Sequence, residues 1–149
     1  MATVEMTNLT RRSVPRFAYA AVAEEALPGW EVSLVFVGPK KARELNEQLR
    51  EKTYTPNVLS YALGEQSGEI FICLNEAAKQ APAHGMDERT FVLYLFIHGL
   101  LHLKGWAHGS TMERCERTLV AQFAHATKNS DRHRHRDLPS EGSGRRRTR

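Results

Sequence analysis

Three histidines, His98, His102 and His108, carry the chemistry most directly readable in this chain. His98 and His102 stand at i and i+4 within an apolar run, a spacing that sets both imidazoles on one helix face with Cβ atoms roughly 5 to 6 Å apart. Gly105 follows. A glycine there can take the left-handed conformation that ends a helix and turns the chain back, bringing His108 towards the face just left. The resulting H-x-x-x-H-x-x-G-x-x-H offers three neutral nitrogens of borderline softness, suited to one Zn²⁺ per chain at about 2.0 to 2.1 Å per bond. A lone histidine on an apolar face is ordinarily a satisfied core residue. The pair, the glycine and the third histidine together point instead to a ligand set.

No fourth ligand is apparent nearby. Structural zinc sites usually close with four protein ligands, often thiolates, whereas catalytic sites keep three and leave a position at which water is activated. Cys115, on the last expected helix, is the alternative that would close the site. The spacing equals that of the metzincin peptidases, H-E-x-x-H-x-x-G-x-x-H, except that Gly99 stands where they have glutamate. Without that carboxylate there is no base to carry a proton from water to a leaving amine, which argues against amide hydrolysis. Phosphodiester cleavage makes a different demand, because charge develops on phosphoryl oxygens that a metal and an arginine can stabilise.

The elements that must position these groups follow from periodicity and breakers. Residues 4–7 alternate as a short strand, residues 15–27 have helical spacing up to Pro28-Gly29, and residues 31–37 (EVSLVFV) form a strand bounded by Gly38-Pro39. A helix over 40–52 and a loop over 53–57 lead to a hairpin of strands 58–63 and 69–73. A short helix over 74–80 precedes the histidine helix, capped by Asp87 and apolar nearly all round, hence buried in the core. A last helix is expected over 111–126, with Met112, Cys115, Leu119 and Phe123 on one face.

The 149 residues, 41% hydrophobic, suit one domain. The net charge of +4 is unevenly placed: residues 128–149 hold eight Lys/Arg against three Asp/Glu, so they account for +5 and leave residues 1–127 at −1. The division expected is a domain over 1–126 and a basic, disordered tail over 127–149. Two cysteines, no apolar run of signal-peptide type at the start and no membrane-length apolar stretch lead to the expectation of a cytoplasmic protein without membrane contact. The tail's His133, His135 and Arg145 to Arg147 either contact RNA phosphates or form a solvated spacer.

The run from His98 to His108, HGLLHLKGWAH, resembles the H-G-x-L-H-L-x-G-x-D-H signature of the YbeY endoribonucleases, or rRNA maturation factors. Leu45-Asn46 with Arg50 is similar to the family's L-N-x-x-x-R helix and Val58-Leu59-Ser60-Tyr61 to its T-D-V-L-S-F strand. Gly68-Glu69-Ile70 with Ile72 is similar to its G-D-I-x-I strand, and Met112 with Glu116 to the M-x-x-x-E of its last helix. The resemblance implies an α+β fold, a small mixed β-sheet flanked by helices with a buried metal-binding helix. It also implies zinc on the three histidines and single-strand-specific cleavage in 16S rRNA 3′-end maturation and ribosome quality control, with ribosomal RNA and the small subunit as partners.

Arg50 matches the family's functional arginine, a catalytic group expected to hold phosphate; its ordinary alternative is a solvated residue or an ion pair with Glu47. Ser60 is a substrate-binding candidate, Asn46 a weaker one. Two positions depart from the pattern: Ala107 and Asn57 stand where the family usually has aspartate, while Glu69 replaces a third. Such carboxylates commonly receive the outer N–H of a metal-bound imidazole, so the source of that support is open. A second reading is accordingly a ribosome-assembly binding module with a mainly structural zinc site; a metallopeptidase-like hydrolase is disfavoured. Trp106 either stacks on a base or packs beside the core.

Overall fold

The computed structural model describes the backbone of residues 1–137 and the side chains of residues 1–124. The elements run β1 (Thr3–Asn8), α1 (Tyr19–Ala26), β2 (Glu31–Val37), α2 (Pro39–Arg50), β3 (Val58–Gly64) and β4 (Ser67–Cys73). There follow α3 (Leu74–Gln80), a 3₁₀ turn (Ala81–His84), α4 (Glu88–Leu103) and α5 (Ser110–Asp137). The four strands form one sheet in the order β1-β2-β4-β3. β1 and β2 are parallel, as are β2 and β4, while β3 closes the antiparallel hairpin on β4. This is the mixed sheet flanked by helices that the α+β expectation required.

Alternation along the strands divides the side chains between two faces. Val32, Leu34, Phe36, Ile70 and Ile72 enter the main core with residues of α1, α3, α4 and α5. Val35, Val37 and Cys73 point the other way, against Ala42 of α2. α4 is apolar nearly all round because neighbours cover most of it: it contacts the sheet through β3 and β4, and α1, α3 and α5 elsewhere. The Asp87 side chain accepts from the Thr90 amide at 2.8 Å and so caps its start. The approach of α4 to the sheet needs two residues without side chains. A Cβ on Gly68 would lie 2.6 Å from Leu103, and one on Gly99 would lie 3.1 to 3.3 Å from three atoms of Ile70.

Two helices differ in extent from their periodicity. α1 begins at Tyr19 and not near Pro15: the Tyr19 amide donates to the Phe17 carbonyl at 2.9 Å, and the buried Tyr19 hydroxyl to the Pro15 carbonyl at 2.6 Å. α5 continues to Asp137, past the boundary expected near residue 126, since no glycine or proline interrupts the sequence before Pro139. That part of the expected tail is therefore helical, and residues 138–149, with Arg145 to Arg147, lie outside the described residues. No helix among the described residues is long and apolar enough to cross a membrane.

Candidate metal centre

The last turn of α4 ends as the sequence requires. Gly105 has φ +101°, the Trp106 amide donates to the Leu101 carbonyl at 3.1 Å, and the Gly105 amide donates to that of His102 at 2.9 Å. These two crossed bonds are those of a Schellman stop, and they reverse the chain so that His108 returns to the helix. The three imidazoles converge, with one ligand nitrogen from each lying within 4.8 Å of the others. His98 and His102 are partly buried, and His108 is exposed.

The outer nitrogens decide which inner atoms are available. The Nδ1 of His98 lies 2.6 Å from the Glu116 carboxylate, and the Nδ1 of His102 lies 3.1 Å from the Trp106 carbonyl. Both partners accept, so both Nδ1 atoms carry hydrogen and, in the neutral rings, both Nε2 atoms present lone pairs. Those two Nε2 atoms are 3.1 Å apart. Two lone pairs at that separation need a proton or a metal cation between them, and two nitrogens at about 2.0 to 2.1 Å from a tetrahedral ion would be about 3.3 Å apart. Burial, reinforced by His98 and His108, holds the His102 imidazole below the usual histidine range and hence neutral, as a ligand must be. The donor set thus fits a divalent ion of zinc type.

Cys115 does not close the site, since the metal-competent group consists of the three histidines alone among the described residues. Its neighbour Glu116, buried to 4% exposure, faces His98 instead. This supplies the outer carboxylate that Ala107 and Asn57 do not. Glu69 takes no part: it lies on the opposite face of the sheet, where Ser33 and Tyr61 donate to it at 3.0 and 2.5 Å.

The histidines open into a cleft of about 560 Å³, whose walls include Arg50, Tyr54, Asn57, Ser60 and Gln80. Ser60 pairs with Ile70 across the hairpin and so points to the α4 side. Arg50, the final residue of α2, donates from Nη1 to the Tyr54 hydroxyl at 3.3 Å, and no ion pair with Glu47 forms among the described residues. Asn57 donates to Gln80 Oε1 at 2.7 Å, and Gln80 donates to Glu76 at 3.0 Å. Because Glu76 only accepts, the chain of donors orients both amides. Asn46 is fully buried away from the cleft wall and donates to the Tyr54 carbonyl at 2.9 Å. Trp106 packs against the main core and is absent from the cleft wall. Tyr54 and Gln80 had no motif to mark them; only the cleft brings them to the histidines.

Residues 2–125 match the family model described as endoribonuclease YbeY. The chain is 33% identical over 136 residues to the endoribonuclease YbeY of Geobacillus kaustophilus, covering 80% of this chain and 86% of that one. It is 32% identical over 114 residues to the Pseudomonas fluorescens protein of the same name, covering 68% and 75%. A solution structure from Thermotoga maritima shares the fold with a TM-score of 0.58 at 21% identity, covering 79% of this chain and 87% of that one. The histidine signature and these relatives agree, and the chain belongs to the YbeY family of endoribonucleases, hydrolases of RNA phosphodiester bonds.

Proposed function

We propose that this protein is a zinc-dependent, single-strand-specific endoribonuclease acting in 16S rRNA 3′-end maturation and ribosome quality control, with ribosomal RNA and the small subunit as partners. The observation that carries it is the convergence of the His98 and His102 Nε2 atoms, 3.1 Å apart, with His108 at the end of a cleft that Arg50 shares. A zinc ion bound there supplies a Lewis acid for a phosphoryl oxygen and a means of lowering the pKa of water to about 7.

The chain's own residues do the rest. Glu116 and the Trp106 carbonyl hold hydrogens on the outer nitrogens and so keep both α4 rings turned inward. Arg50 holds a phosphate of the substrate, and Ser60 lines the path of the strand. α4 carries Gly99 hard against Ile70 where a metzincin has its glutamate, so a peptidase reading lacks its base. Residues 1–126 form the nuclease domain and the basic segment after them adds contact to RNA phosphates. Both cysteines are free, in keeping with a reducing cytoplasm.

Elemental analysis of the purified protein, paired with ribonuclease assays before and after chelation, tests the proposal. One zinc per chain, cleavage of single-stranded rRNA lost on chelation and restored by zinc, are the expected results. Arg50→Ala should lower cleavage roughly 10²- to 10³-fold with zinc retained. Full activity in metal-stripped protein would refute the reading, and ribosome association without any cleavage would favour the binding module.

A further inference from the structure

We infer that the ring of Tyr54 is a stacking platform for one unpaired base of the RNA, beside the phosphate that Arg50 holds. The inference rests on the nuclease reading above and adds a base subsite to it.

Among the described Phe, Tyr and Trp residues Tyr54 is the one left largely open to solvent, at 54% exposure, and it stands on the wall of the histidine cleft. No other aromatic ring covers its faces among the described residues. An exposed ring on a loop is ordinarily free to wander, but this one is held at both ends. Its backbone carbonyl takes the amide of the buried Asn46 at 2.9 Å, and its hydroxyl takes the Arg50 guanidinium at 3.3 Å. The loop is fastened further by the buried Pro56 and by the Asn57 carbonyl, which accepts from the Cys73 amide at 3.0 Å.

An open aromatic face with its position set in advance loses little freedom on binding, which is the condition for a productive stack. Base stacking tolerates any sequence, because every base has a π-face, and it needs that face uncovered. A base inside a duplex has both faces occupied by its neighbours. The platform therefore gives the cleft a physical means of choosing single strands, with guanidinium and ring placed together as phosphate and base are in one nucleotide.

The test uses full-length protein, a single-stranded oligoribonucleotide, its duplex, and the same strand carrying an abasic nucleotide at successive positions. Tyr54→Ala should raise KM for the single strand roughly 5- to 150-fold, the range that loss of one base–aromatic stack implies, with kcat little changed. Tyr54→Phe, which keeps the ring and drops the hydroxyl, should restore most of it. One abasic position should cost the wild type as much as Tyr54→Ala costs, and should cost that variant nothing further. If the wild type cleaves RNA and Tyr54→Ala has an unaltered KM, the platform is wrong. If Tyr54→Phe is as weak as Tyr54→Ala, the hydroxyl's hold on Arg50 is what matters, and the platform is again wrong. A wild-type protein that neither binds nor cleaves the strand would overturn the nuclease reading and this one with it.

Discussion

Two polar clusters, each built around a glutamate, lie on opposite faces of the same sheet and are completed in different ways. On the α2 face, Glu69 takes hydrogens from Ser33 and Tyr61, one on each carboxylate oxygen. These three residues sit in one cross-strand row, so the cluster is finished within the protein. On the α4 face, Glu116 takes the hydrogen of His98, and the satisfaction stops there. The Nε2 atoms of His98 and His102 face each other at 3.1 Å, and as neutral rings with hydrogen on Nδ1 they meet as two acceptors. A cluster that closes on itself supports the fold, whereas one that turns like groups toward each other is a place to receive a cation. Carboxylate content alone would not have distinguished them; the direction of each hydrogen does.

The comparison can be attacked from the strong side first. Replacing His102 by alanine removes one of two nitrogens held by the buried helix, and bound zinc measured by elemental analysis should fall from one per chain to near none while circular dichroism stays native. Retention of zinc would mean that the histidine pair is not the metal site. Glu116→Ala leaves the His98 ring in place without its outer acceptor, and should weaken zinc binding about 10- to 100-fold in a competition titration with a chelating dye. An unchanged affinity would put Glu116 in the same structural class as Glu69. Gly105→Ala forces a side chain into φ +101° at a cost of about 1 to 2 kcal/mol. Thermal melting should show that loss, and His108, which depends on the turn, should bind zinc less well.

The smallest effect belongs to the self-contained cluster. Burial, with help from the Glu69 hydrogen bond and charge, pushes the Tyr61 hydroxyl from its ordinary 10.0 up to about 12. A pKa raised on folding means that the folded state keeps its proton longer, so this contribution is complete below pH 10 and is lost as pH rises to about 12. Denaturant titrations across that window should show the wild type losing stability that Tyr61→Phe never had, with zinc affinity alike in both. Loss of zinc in Tyr61→Phe would break the separation of the two clusters.

The clustering of the three histidines was legible without coordinates because it is local. The i, i+4 pair and the glycine stop are properties of a single helix and its first turn beyond, and backbone geometry alone brings His108 round. The mixed sheet was legible for a similar reason, since short strands alternate or run apolar between glycines and prolines. Helix ends were less so. Residues 15–18 stay outside α1, with the Tyr19 amide on the Phe17 carbonyl and its hydroxyl on that of Pro15, and nothing local stops α5 before Pro139.

What the chain order could not specify is which distant residues meet the histidines. Glu116 reaches His98 from a separate helix, Glu69 is turned to the far face by strand register, and Arg50, Tyr54 and Ser60 share a cleft with the three histidines only because α2, the following loop and β3 are packed beside α4. Periodicity sets the direction of a side chain relative to its own element. The partner it finds is decided by how whole elements pack, through contacts that sequence spacing does not encode.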